Sequence, residues 1–226
     1  MHWTNSFQAR LLLCGVIAVQ VAGATTIIES TGNSGGAVPL GFYAPYNSAE
    51  VAAVGWTQTS SYTNVVVTAS LLTPTSGGTI DYTLVKAIGP GTSFAVDGIT
   101  QGSVNLPYVY GNVDLFQLPS LGPGTYYLVL DSPTPNLAWL YNFPYQATYT
   151  MDAGVSLIGN YSVLAPGIDT SFTPASSLVG ENIATEFNVT ATPANAPEPG
   201  TFGFLGLALV GVSIVLRRMS RVAGGG

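Results

Sequence analysis

From Thr25 to about Thr192, apolar and polar residues alternate with a period of two between clusters of turn-forming residues. In an extended strand successive side chains point to opposite faces, so this spacing suits half-buried strands and little else. In "YTNVVVTASLL", Val65, Val67, Ala69 and Leu71 share one face, while Thr68 and Ser70 take the other. "TIDYTLVKAI" sets Ile80, Tyr82 and Leu84 opposite Asp81, Thr83 and Val85. Segments 125–130, 136–141, 145–151 and 182–189 read similarly, and "SGG", "SPTPN", "APG" and two "GPG" stretches punctuate the series. Short strands separated by such turns predict an all-β chain, an antiparallel β-sandwich of jelly-roll-like type. Between the two ends of the chain no stretch of useful length carries helical periodicity.

"IGPGTSFAV" and "LGPGTYYLV" repeat Gly-Pro-Gly-Thr and the apolar positions after it, with the second copy beginning at Leu121. Proline second and glycine third suit a type II turn that feeds a strand. The echo reads either as convergent turn chemistry or as a duplicated hairpin.

Charge narrows the function. Charged residues make up 7% of the chain. Between Thr25 and Ala196 there is one cation, Lys86, against ten carboxylates, a net of −9. Nucleic acid is bound by cationic neutralisation of phosphates, so such a surface repels it. The single histidine, His2, and the single cysteine, Cys14, both fall in the first 14 residues. If that segment is removed, what remains can build no disulfide, no His/Cys zinc site and no serine or cysteine triad.

The two ends have the layout of targeting segments. Arg10 precedes an apolar run from Leu11 to Ala22, and Ala22-Gly23-Ala24 is a small-x-small cleavage pattern. Residues 1–24 therefore read as a cleavable signal helix. "LLLCG" is a poor lipoprotein box, because Leu13 is bulky and the apolar run continues past Cys14. Residues 25–190 read as the β body and 191–200 as a linker holding Pro197, Glu198 and Pro199. Residues 201–217 read as a single transmembrane helix and 218–226 as a basic tail. Phe202 to Leu216 carries no charge, and the permissive stretch from Gly200 spans roughly 25 Å as a helix. Arg217, Arg218 and Arg221 follow and stay cytoplasmic by the positive-inside rule, which places the β body outside. The prolines drive the residues before them into extended conformations, which leaves the junction open to a protease.

Pro197-Glu198-Pro199, a short Gly-containing apolar run, then Arg217 and Arg218 resemble the PEP-CTERM sorting signal of Gram-negative bacteria. The resemblance covers about the last 25–30 residues, and Ala196 stands where Val is frequent. It implies export, residence in the envelope membrane, and processing at the tail by exosortase, a transpeptidase-like cysteine protease. It implies a final place at the cell surface or outside, frequently among bacteria that make extracellular polysaccharide. The tail is also known as an ice-binding protein C-terminal domain, but the Thr-x-Thr pairs here have no regular period. "VGWTQTSSYTNVVVTASL" with "IGPGT" is also similar to secreted, C-terminally anchored β-sandwich ectodomains, which bears on fold alone.

For the β body, sugar binding is the leading chemistry. Sugars are gripped by aromatic faces with polar rims, and Trp56, Trp139 and Tyr141 are the candidates, with Tyr108/Tyr110 and Tyr126/Tyr127 beside them. Aromatics also favour strands for packing alone. A glycosidase needs two carboxyl groups held together, and Asp81, Asp97, Asp114, Asp131, Asp152, Asp169, Glu181 and Glu186 stand singly in the sequence. Lys86 reads as an exposed strand lysine guarding an edge. No Asp-x-Asp run marks a calcium loop. The expectation is a non-enzymatic structural or adhesive matrix protein without metal or cofactor, which binds exopolysaccharide. The alternative is a carboxylate-dependent glycan-active enzyme.

Overall fold

The computed structural model describes residues 23–32, 34–43, 48–142, 147–163, 173–174 and 184–194. The strands are β1 (Thr25–Thr31), β2 (Ser34–Tyr43), β3 (Ser48–Gln58), β4 (Tyr62–Leu72), β5 (Gly78–Val85), β6 (Gly98–Leu106) and β7 (Tyr110–Leu121). They continue as β8 (Gly124–Asp131), β9 (Leu137–Asn142), β10 (Thr148–Met151), β11 (Val155–Val163), β12 (Thr173–Pro174), β13 (Ala184–Thr185) and β14 (Phe187–Pro193). One helical turn, α1 (Phe94–Asp97), interrupts them. The protein is nearly all-β and its ladders are antiparallel. The proposed signal helix and transmembrane helix lie outside the described residues.

The main hydrogen-bonded path runs β10-β1-β14-β4-β9-β2-β3-β8-β5-β6, with β7 on β4, β11 on β3 and β12, and β13 on β9. Strand β2 carries the chain from one arm of this path to the other. Residues up to Leu40 pair with β9, whereas Gly41–Tyr43 pair with β3. The crossing falls on Gly41, whose φ is +70° and where a Cβ would come 1.9 Å from the Ser132 carbonyl oxygen. Only glycine meets both demands.

The two arms share one apolar interior. Trp56, on β3, lies 6.2 Å from Phe187, on β14, and Tyr82, on β5, stacks on Phe116, on β7, at 4.7 Å. Val65, Val67, Ala69 and Leu71 are all buried in this core, as the alternation requires. A smaller apolar patch of Val51, Ala53, Val85 and Val129 is covered by Ile88 and Phe94 from the β5–β6 connection.

The Gly-Pro-Gly echo resolves into two local structures. In the first copy Thr92 N–H donates to the Gly89 carbonyl at 3.1 Å and Gly91 has φ +86°, a type II turn, after which the chain enters α1. In the second copy Gly124 has φ +157° and opens β8 directly. The shared letters are therefore turn chemistry and no duplicated hairpin. Lys86 is exposed, as expected, but it follows β5, which lies between β8 and β6, so it guards no edge.

Candidate functional site

The sorting residues Pro197, Glu198, Pro199, Arg217 and Arg218 lie outside the described residues. They follow soon after β14, whose closing Pro193 pairs with Tyr62. Among the described residues no helix is long and apolar enough to cross a membrane.

Both tryptophans singled out for sugar binding are core residues. Trp56 and Trp139 are each 0% exposed. The Trp56 indole lies 5.8 Å from Tyr126, and its N–H donates to Gln58 Oε1 at 3.2 Å. Gln58 in turn donates to the Gly122 carbonyl at 2.8 Å, which ties β3 to the β7–β8 turn. The Trp139 N–H donates to the Glu186 carbonyl at 2.8 Å. A sugar platform needs an open ring face, and neither indole has one. Tyr141 is half-buried against the core, with its ring over Gly36, where a Cβ would come 2.6 Å from the phenol oxygen.

Among the described residues, the aromatic rings that face solvent are Tyr108, 58% exposed, and Tyr110, 64% exposed. They flank a turn that Thr73 holds rigid. The Thr73 amide donates to the Val109 carbonyl at 3.0 Å and its hydroxyl to the Pro107 carbonyl at 2.9 Å. That hydroxyl also accepts the Val109 N–H at 2.7 Å. Beyond Tyr110, β7 presents exposed Asn112 and Asp114. Asn112 accepts a hydrogen bond from Ser70, and Asp114 accepts one from Thr68 at 2.9 Å. By register, Thr150, Glu29, Asn188, Thr68 and Asp114 stand side by side across five strands. Residues directly opposite share a face, so the outcome is a polar, acidic surface with two phenol rings at one end. Glu186, where β13 gives way to β14, has its carboxyl pushed up by burial, with Ser70 opposing the shift.

A second grouping was invisible in the sequence. Asp81, on β5, lies directly opposite Asp131, on β8. Burial pushes the Asp131 carboxyl up; the Ser132 N–H, donating to it at 2.7 Å, opposes this, and the Asp81 charge adds to the rise. Asp81 accepts a hydrogen bond from Ser103 on β6. Chemically, such a pair can share a proton or work as acid and base. Only strand register brings the two together, so composition and spacing carried no signal of it. Among the described residues no group of three or more His, Cys, Asp or Glu side chains converges to hold a metal, and Lys86 is the sole cation.

A family profile described as a PEP-CTERM protein-sorting motif matches residues 195–218. No curated protein matches the chain.

Proposed function

From the premise that the PEP-CTERM motif at residues 195–218 marks an exported protein sorted by exosortase, we propose that the β body is a non-enzymatic, adhesive component of an extracellular matrix. In this reading residues 1–24 direct export. Residues 201–217 span the envelope membrane before processing, with Arg217 and Arg218 on the cytoplasmic side. Pro197, Glu198 and Pro199 are what the processing enzyme recognises. The β body then binds exopolysaccharide through Tyr108 and Tyr110, with Asn112 and Asp114 as the polar rim.

One observation carries the adhesive role. Two phenol rings, two residues apart, stand out from a turn fixed by three hydrogen bonds to Thr73. Rigid aromatic faces lose little entropy on binding. The surface around them is acidic and Lys86 is the only described cation, so polyuronates are repelled, and neutral or amine-bearing glycans suit it. The test is migration of the full-length protein through native gels cast with polysaccharides of each charge class. Retardation in a neutral or amine-bearing gel, lost in Tyr108→Ala/Tyr110→Ala, supports the proposal. Equal retardation of the double variant sinks the adhesive site.

The Asp81–Asp131 pair favours the second reading, a glycan-active enzyme. Release of reducing ends from a polysaccharide, abolished by Asp131→Asn, would replace the first reading with this one.

A further inference from the structure

β6 closes one end of the main strand path, and among the described residues its only strand partner is β5. A terminal strand offers a row of unpaired N–H and C=O groups, which natural proteins blunt with charge, proline, bulges or shortness. The other free edges here carry such devices. β10 has four residues. β12 has two, one of them Pro174. β7 contains Asp114 and Pro119, and its pairing with β4 shifts register between Val67 and Thr68. β6 is weakly protected: it runs for nine residues, "GITQGSVNL", with no charge and no proline, and its one register shift, at Ile99, lies near its start and leaves 100–106 in regular pairing. Among the described residues, no backbone hydrogen bond beyond the β5 ladder and the Gly98 cap of α1 reaches it.

We propose that the free edge of β6 pairs antiparallel with β6 of a second copy of this chain. The charge pattern selects that partner. The β body is strongly acidic, so two copies repel over most of their surface, yet self-pairing of β6 sets no like charges opposite one another. Exposed Gln101, Ser103 and Asn105 meet their counterparts on one face. On the other face Val104 and Leu106, half-buried against the core, lie opposite Gly102 and Thr100 of the second copy, with the two Val104 side chains diagonal to one another. The two interiors then continue as one apolar row. Antiparallel self-pairing is isologous and uses up the edge, so assembly stops at a dimer.

The experiment uses the full-length protein in detergent with Cys14→Ser, which leaves no other cysteine. Cysteines are introduced singly at Gln101, Ser103 and Asn105, and at exposed Ser120 on β7 as the control. Under mild oxidation Ser103→Cys, which meets itself on the two-fold axis, and the mixed pair that flanks it (Gln101→Cys with Asn105→Cys) should give disulfide-linked dimers at least tenfold more than Ser120→Cys. Gln101→Lys/Ser103→Lys, at two exposed positions, should keep the melting temperature and sediment as a monomer. Cross-linking no better than at Ser120, a lysine variant as dimeric as the parent, or assemblies beyond the dimer would each overturn the proposal.

Discussion

Replacing Trp139 with Phe separates packing from binding. The indole is fully buried, and its N–H donates to the Glu186 carbonyl at 2.8 Å. Phenylalanine removes roughly three methylene-sized groups at about 0.8 kcal/mol each. It also removes one hydrogen bond, about 1 kcal/mol. The Glu186 carbonyl keeps the Ser70 amide at 3.0 Å, so no buried acceptor is orphaned and the full desolvation penalty does not apply. The sum is about 3 kcal/mol. At about 2–4 °C per kcal/mol for a domain of this size, the melting temperature should fall by roughly 6–12 °C. Far-ultraviolet circular dichroism during heating reads the shift, and the polysaccharide gel reads binding on the same samples. Lower stability with unchanged retardation is the expected pair of results. A melting point within a degree of the parent, or retardation lost while the fold is intact, would refute the assignment of Trp139 to the core.

Tyr62 donates to Asp152 at 2.9 Å, and burial together with that carboxylate pushes its phenol up to about 12. Its folded value lies above the ordinary 10, so the associated stability is present below pH 10 and is lost as pH rises toward 12. Tyr62→Phe should flatten this alkaline decline in thermal melts. Asp131 is raised above its ordinary 3.8, chiefly by burial. An acid raised on folding makes the native state lose stability as pH climbs through its folded value. Asp131→Asn should therefore match the parent near pH 3 and melt higher at pH 7. Gly41→Ala combines left-handed backbone with a Cβ 1.9 Å from the Ser132 carbonyl. It should destabilise by more than the ~1 kcal/mol typical of an average substitution, seen as a lower urea midpoint.

The antiparallel all-β class was legible because the central strands alternate strongly. In β4 and β5 the residues expected on the core face are those that meet the interior. The edge strands were harder. β6 and β7 mix Gly, Gln, Ser and Asn into their alternation, since one side of an edge packs weakly and tolerates them. "NIATEFNV" read as one strand, yet it divides at Glu186, which is hydrogen-bonded to β9 through its amide and to β4 through its carbonyl. The aromatic candidates are sorted only by burial. Trp56 and Trp139 point inward, whereas Tyr108 and Tyr110 bracket a turn. The Asp81–Asp131 pair depends on long-range register, which no local pattern encodes.

The last described strand, β14, is flanked on both sides, by β1 and by β4. Ladder hydrogen bonds lie across the strand direction. Tension applied from the sorting end would run along β14 and load both ladders in shear, many bonds at once, instead of peeling them singly. A body held by that end is thus built to be pulled without unravelling from its point of attachment.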